Sequence, residues 1–189
     1  MKRFVSLIFA ILLALTAVSC AGGDNTVDTA ETTAAVIATL PETEAPTPPI
    51  ALLNDAGAAV YAIIRPDEGS GDEKQAGIDL KKSLKTLTGA EFSLSSDFLM
   101  PNQTIEGVAE VPEILIGATN RPESIAAREG LTVNDYVIRV VGTKIVIAGG
   151  CDLMTKRAIE EFLSMLSAEN GFALSAETDI RGKIERGHY

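Results

Sequence analysis

The chain has 189 residues, a formal net charge of -10 at pH 7, one histidine, two cysteines and no tryptophan. So acidic a surface repels phosphate backbones and anionic headgroups, which argues against nucleic acid as a ligand and against an electrostatic hold on lipid. Two cysteines build no disulfide framework, and the single His188, next to the end, supports neither a histidine triad nor a familiar zinc-binding spacing, so no metal and no cofactor are expected.

Residues 1–19 place Lys2 and Arg3 ahead of an apolar run from Phe4 to about Ala17, then small residues, the layout of a secretory signal peptide and not of a spanning helix. The following "AVSC" resembles a bacterial lipobox, with Ala17 where leucine is commoner. On that resemblance the Cys20 thiol takes a diacylglycerol and becomes the mature N-terminus; the plainer alternative is cleavage near Ser19 that leaves Cys20 free. Several acyl chains hold a protein on a bilayer, each buried methylene contributing about 0.8 kcal/mol. The expected location is therefore extracytoplasmic, with the membrane as a partner through the acyl anchor of a bacterial lipoprotein.

Residues 20–49 are rich in Thr, Ala, Glu and Pro, without apolar periodicity, and read as a disordered stalk. A coil of that length spans roughly 30 Å. Residues 50–189 are of ordinary size for one domain.

Within that domain, "AAVYAIIR" (58–65) is aromatic and β-branched enough for a first strand, and Ser70 with Glu73 forms a capping-box pattern opening a helix. The helix carries Ala76, Leu80, Leu84 and Leu87 at three-to-four spacing and stops at Gly89. "AEFSLSSD" follows as a one-sided strand, with Phe92 and Leu94 inward, and "FLMPNQTIEGVAEVP" as a loop with little pattern. "EILIG" (113–117) has three consecutive aliphatics, as in a strand covered on both faces. "ATNRPESIAAREG" then predicts a turn and a short helix, with Asn120 or Arg121 at the cap and Pro122 in the first turn. "DYVIRVVGTKIVIAGG" is a hairpin turning at Gly142 and Thr143, and "CDLMTKRAIEEFLSMLSAENG" is a helix with Asp152 as the expected cap and Ala158, Ile159, Phe162, Leu163 and Leu166 on its apolar face. This order of elements predicts an α+β two-layer sandwich, a mixed β-sheet with two main helices on one face.

A two-residue turn at Gly142 pairs Val141 with Lys144, Arg139 with Val146 and Val137 with Ala148. One face is then Tyr136, Ile138, Val140, Ile145 and Ile147, which belongs under the helices. The other is half apolar and faces water in a two-layer domain. Strand propensity alone produces such a face; the sharper reading makes Val137, Arg139, Val141, Lys144 and Val146 a docking face for another domain or chain.

Three stretches in succession, 61–97 with "YAIIRPDEGSGDEKQAGIDLKKSLKTLTGAEFSLSSD", "PEILIGATNRPES" and "DYVIRVVGTKIVIAGGCDLMTKRAIEEFL", resemble the small α+β domain that precedes the catalytic barrel of bacterial alpha-glucuronidases and hexosaminidase-type glycoside hydrolases. The resemblance implies the fold and a carbohydrate-related neighbourhood. It does not transfer catalysis, because the family's catalytic carboxylates sit on the barrel and no position here corresponds to them.

Carboxylates elsewhere have simpler readings: adjacent Glu160 and Glu161 as a solvated helix face, and Glu68, Asp72 and Glu73 at a helix start that favours negative charge. No catalytic residue is assigned. "GATNRPES" supplies a ligand-loop candidate, Asn120 and Arg121 with Arg65, against a turn-and-cap reading of the same residues. Cys151 at a helix N-terminus is read as a small packing residue, with a reactive thiol as the alternative. The expected function is a non-catalytic surface lipoprotein whose domain is an interaction module, with a protein carrying a barrel-type glycosidase domain as partner. The alternative is a carbohydrate-binding lipoprotein taking a glycan directly; a glycoside hydrolase ranks third.

Overall fold

The structure is a computed structural model and describes residues 47–184. The expected signal peptide, Cys20, nearly all of the expected stalk and His188 lie outside the described residues. In chain order the elements are β1 (Ile50–Ala51), β2 (Ala62–Arg65), α1 (Gly71–Thr88), β3 (Ser93–Ser96), a 3-10 turn (Glu106–Val108), β4 (Glu113–Ile116), α2 (Pro122–Arg128), β5 (Asp135–Val141), β6 (Lys144–Gly149), α3 (Asp152–Met165), β7 (Ala173–Leu174) and β8 (Asp179–Lys183).

Local signals account for most of these. Ser70 Oγ accepts from the Glu73 amide at 3.0 Å while Glu73 Oε2 accepts from the Ser70 amide at 3.4 Å, so the capping box opens α1 as its sequence requires. Gly89 ends the helix at φ 77°, a left-handed conformation that glycine adopts without a β-carbon penalty. The hairpin pairs Val141 with Lys144 and each residue in turn back to Tyr136 with Gly149, the predicted register throughout. Gly142 sits at φ 57° in the first turn position, where a II′ turn needs it.

Six strands form one mixed sheet in the order β3-β2-β4-β6-β5-β8. The first four run parallel, and β5 and β8 are antiparallel to their neighbours. A separate pair joins β1 to β7. The helices α1 and α3 lie together on one face, where Leu80, Leu84 and Phe162 close over Ile63, Ile114, Ile138 and Ile147, all fully buried. This is the α+β arrangement of a mixed sheet with its two main helices on one face. No helix among the described residues is long and apolar enough to cross a membrane.

The short helix α2 takes the opposite face, where Ala127 packs on Ile64, Leu115, Val137, Val146 and Ala148. α2 joins β4 to the antiparallel β5 and lies against β5 and β6 on this face. The docking face expected from the hairpin is therefore closed. Val137 and Val146 are fully buried, Lys144 is 1% exposed, and Arg139 is held by Asp179 of β8 through two bonds of 2.9 Å. Of the five residues, Val141 alone is exposed.

Smaller differences have local causes. Regular pairing of the first strand begins at Ala62, because Ala59 bridges back to Leu53 and the Val60 amide bonds to the Leu52 carbonyl. Leu87 is exposed and not part of the α1 core stripe. The cap of α3 is Cys151, without a side-chain cap bond; Asp152 is the first helical residue, and its Oδ1 accepts from Ser70 Oγ at 2.9 Å, tying the starts of α1 and α3 together.

Two edge carboxylates link this fold to pH. Arg139 holds the Asp179 carboxyl below its ordinary range, and bonds from Thr132 do the same for Asp135 at the start of β5. A carboxylate lowered by folding adds stability that is full above the ordinary carboxylate range and is lost as pH falls through the folded value. Urea midpoints should therefore stay level from about pH 7 to 5 and fall below about pH 4. Arg139→Met should flatten part of that acid limb.

Candidate functional site

The predicted ligand loop follows β4. Gly117 takes φ 64°, and a β-carbon there would run into the Glu73 carboxylate, so only glycine makes this turn. Beyond it, Asp97, 6% exposed, accepts from the Asp67 amide at 2.8 Å and from the Asn120 amide at 2.6 Å. Asn120 donates its Nδ2 to the Asp97 carbonyl at 2.9 Å and accepts from Arg121 at 2.8 Å. Asp97 thus joins three segments, those after β2, β3 and β4, in one knot.

Arg121 grips Glu113 with a two-pronged pair, Nε to Oε2 at 3.0 Å and a terminal nitrogen to Oε1 at 3.1 Å. Glu113 Oε2 also receives Lys144 Nζ at 2.9 Å, and that ammonium reaches the carbonyls of Val108 and Val111 as well. All three charged side chains are at most 4% exposed. The cluster fixes the 3-10 turn and the start of α2 to the sheet. Asn120 and Arg121, read from the sequence as a ligand loop, thus have their polar groups occupied by internal partners. Arg65 does not join them, since its β-carbon lies against Gly77 of α1 on the opposite face and its guanidinium turns toward the Pro66 carbonyl. Arg121 of the ligand-loop candidate and Lys144 of the docking-face candidate meet at one carboxylate, Glu113 of β4.

The open site lies elsewhere, where β2, β3 and β4 end, the place where parallel sheets with crossing helices leave a crevice. A cleft of about 550 Å³ there is lined by Asp67, Glu68, Ser70, Glu73, Asp97 and Phe98 among others, with four carboxylates and no lysine or arginine. Glu73 and Asp97 are engaged, Glu73 Oε1 accepting from the Ala118 amide at 3.2 Å. Asp67 and Glu68 are exposed on the rim. Elsewhere Asp72 pairs with Lys156 at 3.2 Å and Glu160 with Arg157 at 2.8 Å, surface pairs of the expected structural kind. Among the described residues no three His, Cys, Asp or Glu side chains converge as a metal site.

Large apolar side chains mark the same end of the sheet. Phe98, Met100, Ile125, Val133 and Leu153 are each more than half exposed, and among the described residues no other large apolar side chain on the surface reaches that value. Phe98 and Met100 follow β3, Ile125 lies on α2 after β4, Val133 precedes the antiparallel β5, and Leu153 opens α3 after β6. Phe98 and Met100 lie in the stretch that reads as a loop with little pattern, and their only sequence signal is three consecutive large apolar residues, 98–100, outside any element. Cys151 stands near this end as well. It is exposed, not packed inside, because Gly150 presses on the Thr132 backbone and turns the chain outward, and its thiol donates to the Val133 carbonyl at 3.1 Å. Tyr61 is buried in the core, and burial raises its hydroxyl pKa.

No family model matches this chain, and no curated protein matches it. Among solved structures it is similar to a family GH115 4-O-methyl-alpha-glucuronidase, BtGH115A, described as specific for decorated arabinogalactans. The identity is 15%, the match covers 66% of this chain and 17% of the enzyme, and the TM-score is 0.45. The chain thus corresponds to about a sixth of that protein's length.

Proposed function

We propose that this chain is a non-catalytic interaction module on a membrane-tethered lipoprotein, and that it docks a protein partner through the end of its sheet where β2, β3, β4 and β6 finish. The observation that carries this reading is that the most exposed apolar side chains, Phe98, Met100, Ile125, Val133 and Leu153, all lie on segments that adjoin β3, β4, β5 and β6 at this end of the sheet, with Phe98 lining the open cleft. Large apolar groups left in water at one place mark interaction sites more often than scattered ones do. The direction of the chain agrees. Residues 47–53 lie by β1 and β7 at the opposite end, where the Leu52 amide bonds to the Phe172 carbonyl, so the chain enters the domain away from the docking end. From the sequence resemblance, the partner class to screen first is a protein with a barrel-type glycosidase domain.

The test is recovery of partners from the same cell envelope. The parent chain should retain a discrete set of proteins, Phe98→Ser and Leu153→Ser should each lose it, and Val141→Ser, at the far end of the hairpin, should not. Equal recovery by all four sinks the proposal. Cys20→Ser should move the protein out of the membrane fraction and remove the N-terminal lipid from its mass. A second reading, a glycan in the cleft, is favoured by Phe98 beside the rim carboxylates, since aromatic faces and acidic acceptors together suit sugars. Retention of a glycan by the purified chain, lost with Phe98→Ser, would decide for it.

A further inference from the structure

The docking end has a chemical character that its apolar residues alone do not define. Its cleft carries Asp67, Glu68, Glu73 and Asp97 and no cation. At the paired helix starts Asp152 is bonded to Ser70 at 2.9 Å, beside the Asp72 and Lys156 pair, with Leu153 next in sequence. From Phe98 after β3 to Leu153 after β6 the sheet crosses three strand intervals, which at about 4.8 Å each is roughly 14 Å. An extended segment covers that span with about four residues.

We infer that the occupant of this end is an extended protein segment with two apolar side chains about four residues apart and lysine or arginine between them. The apolar pair seats on Phe98 and Leu153, and the cations lie over Asp67 and Glu68, the two rim carboxylates without a hydrogen-bond partner among the described residues. Charge complementarity selects this occupant. An acidic segment would bring like charges together, and a second copy of this chain would place its own carboxylate rim against the same groups. The inference rests on the docking reading above and adds to it the chemistry of the partner.

The probe is a set of three synthetic peptides in one flexible frame, each with two leucines four residues apart and with lysine, serine or glutamate between them. Binding to the full chain is followed by amide chemical shifts. The lysine peptide should bind most tightly, move the amides around Asp67, Phe98 and Leu153, and weaken with added salt as the Debye length shortens from about 10 Å at 0.1 M. Two exposed pairs at about 0.5 kcal/mol each correspond to roughly fivefold in affinity, so D67N with E68Q should weaken the lysine peptide by about that factor. The same neutralisation at Glu169 and Glu177, which flank β7 at the other end, should leave binding unchanged. Equal affinity for the three peptides, no binding of the lysine peptide, or equal losses from the two pairs of substitutions each overturns the inference. Partner loss in Phe98→Ser with silent charge variants would keep the docking reading and reject its cationic occupant; unchanged partner recovery in Phe98→Ser would reject the reading itself.

Discussion

Glu113→Ala is expected to destabilise the domain by about 3 to 5 kcal/mol, the range measured when one partner of a buried ion pair is removed. The reason is the asymmetry of the cluster. Lys144 and Arg121 share this one carboxylate, and both are buried. Without it Lys144 keeps two carbonyl acceptors, while Arg121 loses both bonds of its two-pronged pair. Two cations then remain in a low-dielectric interior, which costs far more than the pairs themselves contribute. For a domain whose whole stability is about 5 to 15 kcal/mol, that is a large fraction. Chemical denaturation should show the loss as a lower midpoint at unchanged slope. Lys144→Met should cost much less, because it removes a charge together with its desolvation and leaves the Glu113 and Arg121 pair intact. If Glu113→Ala proves as mild as Lys144→Met, the cluster does not hold the fold as described.

Gly150→Ala is expected to cost about 3 kcal/mol or more, although the change adds a single methyl group. A β-carbon at this position would overlap the carbonyl of Thr132 and press on Val133, and these are backbone atoms that cannot rotate aside. The Gly150 amide is bonded to the Asp135 carbonyl at 2.9 Å, so the strand cannot swing away without breaking a bond that anchors the start of β5. At Gly149 a β-carbon would meet the Met154 and Thr155 backbone of α3. The pair of glycines lets the first turn of α3 and the 132–135 loop close on the end of β6. A thermal midpoint lower by about 10 °C is the expected reading for a domain of this size. As a control, Gly130→Ala meets nothing within 4 Å, and its cost comes only from its positive φ of 75°. If Gly150→Ala is no worse than this control, the close approach is not what constrains the position.

Elements whose signal is local were legible in the chain. Ser70 and Glu73 make their reciprocal bonds whatever lies beyond them, Gly89 stops α1 by its own conformation, and a glycine-first turn sets the hairpin register out to Tyr136. The strand β8 was not legible because its one large apolar residue, Ile180, gives no alternation, and Gly182 is there only to lie under the Tyr136 ring. The strands β1 and β7 are two residues long, shorter than any periodicity. The candidate site was read least well. Asn120, Arg121 and Lys144 are polar residues of the kind that binds ligands, yet each is turned inward by a partner 8 to 36 residues away or held by a direct neighbour in sequence. Phe98, marked only by the apolar run 98–100 outside any element, faces water.

By itself the sequence determined where the helices lie, which hairpin residues oppose one another, and that a mixed sheet would carry its two main helices on one face, because capping bonds, turn geometry and apolar period act over a few residues. The strand order, and with it the face that α2 covers, was decided only in three dimensions. That order depends on contacts between segments far apart in the chain, and α2, which joins the antiparallel strands β4 and β5, finds its face only once those strands and β6 are side by side. Closing the second face over Val137 and Val146 buried Lys144 with Glu113 and Arg121, and left the ends of the parallel strands as the place where carboxylates and apolar side chains meet water together.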